Sequence, residues 1–204
     1  FDDDANPAAL AALRPLNAYG WSKHLFDRRV ARLCARAEAA PPQWVGLKFF
    51  NVYGPNESHK GDQRSVALQI HEQVACGESA RLFKSHRPDY ANGGQKRDFI
   101  WVGDCVEIVL WLLDHPGVSG LFNCGTGHAR SFDDLAKAVF AALGKKPKID
   151  HVPMPELLRA KYQYFTEART ERLRAAGYAR PFTALEDGIA RYVHDFLAAA
   201  DPYR

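Results

Sequence analysis

Apolar runs of strand length alternate with stretches of helical period along nearly the whole of this 204-residue chain, and that alternation restricts it to an α/β class. Trp44 to Val52 is a mostly apolar run, the pattern of a strand buried in a parallel sheet. It stops at Tyr53-Gly54-Pro55-Asn56. Before it, residues 2–16 read as an acidic, proline-punctuated loop. Asn17 to Ala40 then reads as a helix with Leu25, Phe26, Val30 and Leu33 on one side and Arg/Lys on the other, ended by Pro41-Pro42. After the break, the pattern predicts a helix over Ser65–Ala75 that stops at Gly77. Strands at Arg81–Phe83 and Asp98–Val102 are separated by a polar loop, Ser85–Gln95. A helix over Asp104–Asp114 precedes a short strand, Gly120–Cys124. Ser131 and Asp134 form a capping-box pattern opening a helix over Asp133–Leu143, which Gly144 terminates. Lys148–Val152 reads as a strand. Thr183 and Glu186 predict a second capping box, followed by a buried stripe of Leu185, Ile189, Tyr192, Val193, Phe196 and Leu197.

The length suits one domain, or a domain with part of another. The chain is 47% hydrophobic and holds 12 Phe, 8 Tyr and 4 Trp, enough for a sizeable core. Its 27 Lys+Arg against 24 Asp+Glu leave a net charge of +3, too small to indicate nucleic acid. A locally cationic cleft for a small anion needs no more. Cys34, Cys76, Cys105 and Cys124 are widely spaced without C-x-x-C, so free buried thiols of a reducing cytosol are expected rather than a disulfide framework or zinc site. His59, His71 and His194 lack partners at metal-ligand spacing, and no metal site is expected. No apolar run approaches the ~20 residues of a membrane span. Phe1-Asp2-Asp3-Asp4 is acidic where a signal peptide would be basic. The chain also begins without Met, and the expectation is a piece of a longer protein.

The first chemical signal is Tyr19-Gly20-Trp21-Ser22-Lys23. A Tyr and a Lys four apart on a helix stand one turn above each other on the same face. A free phenol, with a pKa near ~10, is a poor base at neutral pH. A neighbouring ammonium favours the phenolate, which makes Tyr19 a workable proton acceptor from an alcohol. Alone, a Y-x-x-x-K spacing equally describes a solvated helix face.

Three later segments join it in a fixed order: Phe49-Phe50-Asn51-Val52-Tyr53-Gly54-Pro55, Lys96 to Asp104 (KRDFIWVGD), and Phe122-Asn123-Cys124-Gly125-Thr126-Gly127. Together with Asn17 to Lys23, they resemble the signature segments of the extended short-chain dehydrogenase/reductase family. Glu57-Ser58-His59-Lys60-Gly61, Arg159 to Ala168 and Leu173 to Phe182 are similar to its heptose-epimerase branch. The resemblance implies the C-terminal part of a Rossmann-like, doubly wound parallel sheet plus a smaller α/β substrate-binding region. Residues 1–60 would belong to the NADP-binding domain and 61–204 mainly to the substrate region, with 96–126 returning to the Rossmann sheet. The glycine-rich strand–turn–helix of such a domain is not in this chain, so poor NADP binding and little activity are expected of the isolated polypeptide.

The activity implied is redox epimerisation at C6 of an ADP-heptose. NADP takes a hydride, the resulting ketone reorients, and the hydride returns to the other face. By position, Tyr19 and Lys60 match the two acid/base groups. Lys23, Val52 and Lys60 match cofactor contacts, with Lys23 suited to a ribose hydroxyl. Asn51, Asp62, Gln69, Phe83, Lys84, Ser85, His86, Arg97 and Tyr162 match substrate contacts, Arg97 because its planar fork suits a diphosphate. Phe83 would stack on adenine. Asp62 and Gln69 stand where a common form of the branch has Ser and His, and the Ser85–Gln95 loop is longer than in that form. A full-length protein of this kind is expected to be a cytoplasmic homo-oligomer in lipopolysaccharide-core synthesis, without nucleic-acid or membrane partners.

Plainer readings stay open at each position. Asn51 can cap a strand end, Lys60 can be a solvated loop lysine, Arg97 can pair with Asp98, and Phe83 can be core. Gly125-Thr126-Gly127 reads better as a tight turn than as a phosphate loop. Two other functions compete: a 4-epimerase or 4,6-dehydratase of the same superfamily, and a non-catalytic nucleotide-sugar binding module.

Overall fold

The computed structural model describes residues 3–36, 40–159 and 162–199. Two short parallel pairs share one extended segment. β1 (Val45–Phe49) runs parallel to β6 (Gly120–Cys124), and β2 (Asn51–Tyr53) runs parallel to β5 (Phe99–Trp101). The single strand expected over Trp44–Val52 is therefore divided at Phe50. There the backbone changes partner: Phe50 N donates to Cys124 O at 3.0 Å and Asn51 N to Asp98 O at 3.0 Å. The strand is also less covered than its apolar run implied, since β1 is half-buried with Phe49 exposed. Gly54 closes β2 with φ 150°, and a Cβ there would overlap the Val102 side chain.

A third parallel pair, β3 (Ala80–Phe83) with β8 (Ile149–Val152), is covered by α3 (Val66–Ala75), α5 (Phe132–Ala142) and α8 (Leu185–Arg191). β4 (Lys96–Arg97) pairs antiparallel with β7 (Arg130–Ser131) just before the strand expected over Asp98–Val102, which is present as the shorter β5 because Val102 already begins a helix. Helices α3 and α5 follow their sequence signals closely. Ser65 caps α3 by accepting from Leu68 N, and Ser131 with Asp134 makes both bonds of the capping box at α5. Leu135, Val139 and Phe140 of α5 are buried against Leu68, Leu82 and Ile189, each contributing roughly 1.5–3 kcal/mol of apolar burial. A second cluster gathers Ile108 and Leu112 of α4 (Val102–Asp114) with Phe122, Leu173 and Tyr178. Leu173 lies in the short helix α7 (Glu171–Ala175), which follows the single turn α6 (Glu156–Arg159).

Three expectations need correcting. The N-terminal loop contains a helix, α1 (Pro7–Ala12), because Asn6 accepts from Ala8 N and Pro7 occupies the first turn, where a missing N–H costs nothing. The next helix, α2 (Ala18–Cys34), ends before Ala40; its buried residues are His24 and Ala31, while Leu25, Phe26 and Leu33 of the expected apolar side are exposed. The second capping box does not form. Thr183 gives its N–H and hydroxyl to Asp104 at 2.9 and 2.8 Å, and Glu186 turns to Arg130 at 2.7 Å, so Ala184 is the N-cap of α8 and supplies no side-chain bond. The predicted stripe still packs inward, continuing through a π-helical turn over Tyr192–Leu197. Among the cysteines Cys105 and Cys124 are buried, with sulfurs 3.6 Å apart, but Cys76 is exposed.

Candidate active site

Asn17 accepts from Gly20 N at 2.8 Å and so fixes the start of α2, with Tyr19 in its first turn. Ser22 Oγ donates to Tyr19 O at 2.8 Å. One turn on, Lys23 Nζ lies 5.2 Å from the centre of the Tyr19 ring, so the pair inferred from spacing is a real contact. Both side chains face solvent, Tyr19 with 73% of its surface open. The geometry brings a cation to the phenol and leaves its oxygen free to approach a reactant.

A second group forms around Arg97. This residue is buried, and its guanidinium lies 5.1 Å from the Tyr162 ring and 5.6 Å from the Phe132 ring, while Nη1 donates to Lys96 O at 2.8 Å. Burial pulls its pKa below the usual arginine value, with Tyr162 opposing; burial pushes the Tyr162 phenol up, with Arg97 opposing. A guanidinium held between aromatic faces keeps its planar fork oriented. Phe83 meets Tyr162 edge-on at 6.3 Å, and Tyr164 meets Tyr162 at 5.6 Å. The loop after Phe83 is tied down: Lys84 N donates to Val152 O at 2.8 Å, Ser85 N to Asn92 Oδ1 at 2.9 Å, and His86 N to the Tyr164 hydroxyl at 2.8 Å. Arg97, Tyr162 and Phe83 to His86 thus come from distant segments to one place.

The remaining predicted residues are not gathered in this way. Lys60 and Asp62 are exposed on a 3-10 turn, Ser58–Gln63. Asn51 is exposed at the start of β2, and Val52 beside it is half-buried. Gln69 turns back along α3, its side chain donating to Arg64 O at 3.0 Å, which occupies it internally. Among the described residues no hydrogen bond, ion pair or ring contact joins Lys60 to Tyr19, Lys23 or Arg97. Ala160 and Lys161 of the Arg159–Ala168 segment lie outside the described residues, as do Phe1 and Asp2. A surface depression of about 620 Å³ is lined by Leu13, Gly127, Phe165, Glu167 and Arg169, none of them a predicted site residue. No group of three or more His, Cys, Asp or Glu among the described residues could hold a metal, and no described helix is long and apolar enough to cross a membrane.

Two buried carboxylates have roles that the sequence reading did not give. Asp98, with none of its surface open, does not serve Arg97: it accepts from Thr126 N, Thr126 Oγ1, Gly127 N and Ala168 N at 2.8, 2.7, 2.9 and 3.0 Å. These bonds hold the tight turn after β6. Glu57 accepts from Ser65 N, Ser65 Oγ and the Tyr192 hydroxyl at 2.7, 2.6 and 2.9 Å. The signal for each was an acidic residue inside an otherwise apolar or turn-forming segment, but its donors are up to 135 residues away.

Known proteins resemble the chain throughout. The NAD dependent epimerase/dehydratase family model matches residues 2–125. An ADP-L-glycero-D-manno-heptose-6-epimerase of Nitratidesulfovibrio vulgaris (strain DP4) is 54% identical over 202 residues, which cover 99% of this chain and 60% of the relative. One from Fusobacterium nucleatum subsp. nucleatum is 41% identical across 100% of this chain and 62% of its own. The chain thus spans about 60% of the length of these curated relatives. Among solved structures, a Thermus thermophilus UDP-glucose 4-epimerase in complex with NAD superposes with TM-score 0.74 at 28% identity, over 92% of this chain and 56% of that one. A Helicobacter pylori ADP-L-glycero-D-manno-heptose-6-epimerase gives 0.72 at 26% identity, over 91% and 53%. Its matched segments and its parallel-stranded α/β architecture lead to one conclusion: this chain belongs to the NAD dependent epimerase/dehydratase family.

Proposed function

We propose that this chain provides the catalytic helix and the sugar-nucleotide site of an isomerase that inverts C6 of an ADP-heptose, converting ADP-D-glycero-D-manno-heptose to ADP-L-glycero-D-manno-heptose for lipopolysaccharide core synthesis. The observation that carries this reading is the 54% identity to a heptose epimerase across 99% of the chain. The Tyr19–Lys23 contact and the Arg97–Tyr162 cluster support it. In this reading residues 1–60 complete a nucleotide-cofactor domain, and 61–204 hold the sugar nucleotide, with segments in 96–126 returning to the first sheet.

A bound nicotinamide cofactor would supply hydride acceptance and return at C6. The residues present suit it: Lys23 offers an exposed ammonium one turn from Tyr19, and Val52 lies in a parallel strand pair, whose carboxyl end is where open α/β sheets hold such ligands. Tyr19 takes the alcohol proton as hydride leaves C6, aided by the Lys23 charge. Lys60 handles the proton on the opposite face. Arg97 binds the diphosphate with its fork, Phe83 covers the adenine, and Asn51, Asp62, Lys84, Ser85, His86 and Tyr162 line the substrate. A nicotinamide cofactor is supported by the family description, and the 4-epimerase named above carries NAD. Resemblance to the heptose branch favours NADP, and a titration with both dinucleotides decides between them.

The test is turnover of ADP-heptose by the full-length enzyme. Tyr19→Phe and Lys60→Met should each lower kcat by about 10²-fold or more, the usual contribution of a placed acid/base group. Normal rates in both would end this reading. The similarity to a 4-epimerase favours a second one, and retained activity of Lys60→Ala on a UDP- or dTDP-sugar would select it.

A further inference from the structure

We infer that Glu57 is a positioning residue for the Lys60 amine. The inference rests on the reading of Lys60 as an acid/base group. Lys60 sits on an exposed turn entered through Asn56 at φ 65° and broken at Gly61, where φ is 54° and ψ −129°. Such a turn has little packing of its own to fix it, and a lysine side chain adds four flexible bonds. Glu57 lies at its base with only 4% of its surface open. Its backbone carbonyl accepts from Lys60 N at 3.0 Å, which closes the turn. Its carboxylate accepts from the backbone N–H and hydroxyl of Ser65, where the turn meets α3, and from the hydroxyl of Tyr192, near the other end of the chain. Tyr192 is fully buried and packs its ring against Trp101 at 6.2 Å.

Burying a carboxylate is costly unless charge-assisted hydrogen bonds satisfy it, and here three donors do. The segments carrying those donors meet the turn on its α3 side and from the core behind it. Ser65 Oγ also accepts from Leu68 N at 3.2 Å, so the clamp continues into the first turn of α3. The exposed Lys60 backbone is thereby referred to rigid elements, the condition for holding a reacting group in register, where a shift of about 1 Å can cost ~10²-fold in rate.

Steady-state kinetics of the full-length enzyme on ADP-heptose tests this with Glu57→Gln, Tyr192→Phe and Lys60→Met, alone and in pairs. Glu57→Gln should lower kcat about 10-fold or more with KM within about twofold, because a donor amide then faces donor groups and the turn loses its anchor. Tyr192→Phe, which keeps the ring and removes one bond, should move kcat the same way by less. Neither substitution should lower kcat further in the Lys60→Met background, since both act through that amine. Normal kcat in both Glu57→Gln and Tyr192→Phe overturns the inference, and so does an equal further loss in the Lys60→Met background, which would mark a purely structural role. If Lys60→Met itself turns over normally, the acid/base reading falls and this inference with it. Loss in Lys60→Met beside none in Glu57→Gln defeats the inference alone.

Discussion

Asp98 shows how much one side chain can organise in this fold. A carboxylate with no open surface is tolerable because four donors surround it, two N–H groups and a hydroxyl from Thr126 and Gly127 and one N–H from Ala168. It joins the turn after β6 to Ala168, which is 70 residues from Asp98 along the chain. Asp98→Ala leaves the buried Ala168 N–H and the half-buried Thr126 and Gly127 donors unpaired, at ~1–3 kcal/mol for a fully buried one before relaxation. The expected outcome is a loss of roughly 3–5 kcal/mol in denaturant unfolding, far more than a surface ion pair would give. Arg97, beside it in sequence, points elsewhere and is oriented by rings rather than by this carboxylate.

The elements obey local rules until a tertiary partner offers a better bond. Thr183 and Glu186 have the residues of a capping box, yet Asp104 takes the threonine and Arg130 takes the glutamate. The hydrogen bond from Arg130 holds the Glu186 carboxyl below its usual range despite partial burial. A folded pKa lower than the unfolded one means that the unfolded chain binds more protons in acid. The Glu186 contribution is therefore present above the ordinary carboxylate pKa and disappears as pH falls through the depressed value. With its side chain 56% exposed the pair is worth under about 1 kcal/mol. Glu186→Gln should be slightly less stable than the parent at pH 7 and equal to it in acid, as thermal melts across that range can show. Gly188 in the same helix gives an opposite lesson. Glycine inside a helix usually costs ~1 kcal/mol relative to alanine, but a Cβ at Gly188 would overlap the buried Tyr53 hydroxyl. Gly188→Ala should thus destabilise by about 1–3 kcal/mol through overpacking, measured as a lower Tm, instead of stabilising.

At the scale of the whole molecule, much of the apolar side-chain surface left open among the described residues lies on two helices. Leu25, Phe26 and Leu33 of α2 are 55%, 66% and 40% exposed, and Val106, Val109, Leu110 and Leu113 of α4 are 52%, 41%, 50% and 67% exposed. Surface of that kind drives association in water. The 204-residue polypeptide by itself should sediment as concentration-dependent oligomers, and Phe26→Lys with Leu113→Lys should shift it towards monomer; a purely monomeric parent at tens of micromolar would refute this. The same helices separate what was legible in the sequence from what was not. Helical and strand periods, the Ser65 and Ser131 caps, the glycine stops and the Tyr19–Lys23 spacing are local, set by residues within about one turn of each other, so the one-dimensional pattern contained them. The family segments added an expectation of function, and the structure brings Arg97, Tyr162 and Phe83 to His86 together. The sequence could not show that Phe50 divides a strand between two partners, that Gln69 turns inward, or that Thr183 deserts its helix for Asp104. Nor could it show that Glu57 and Asp98 anchor turns rather than face solvent. Each of these outcomes is decided by donors, acceptors or apolar faces that are distant along the chain. A buried polar group must find its partner wherever the fold brings one, and only the tertiary structure says where that is.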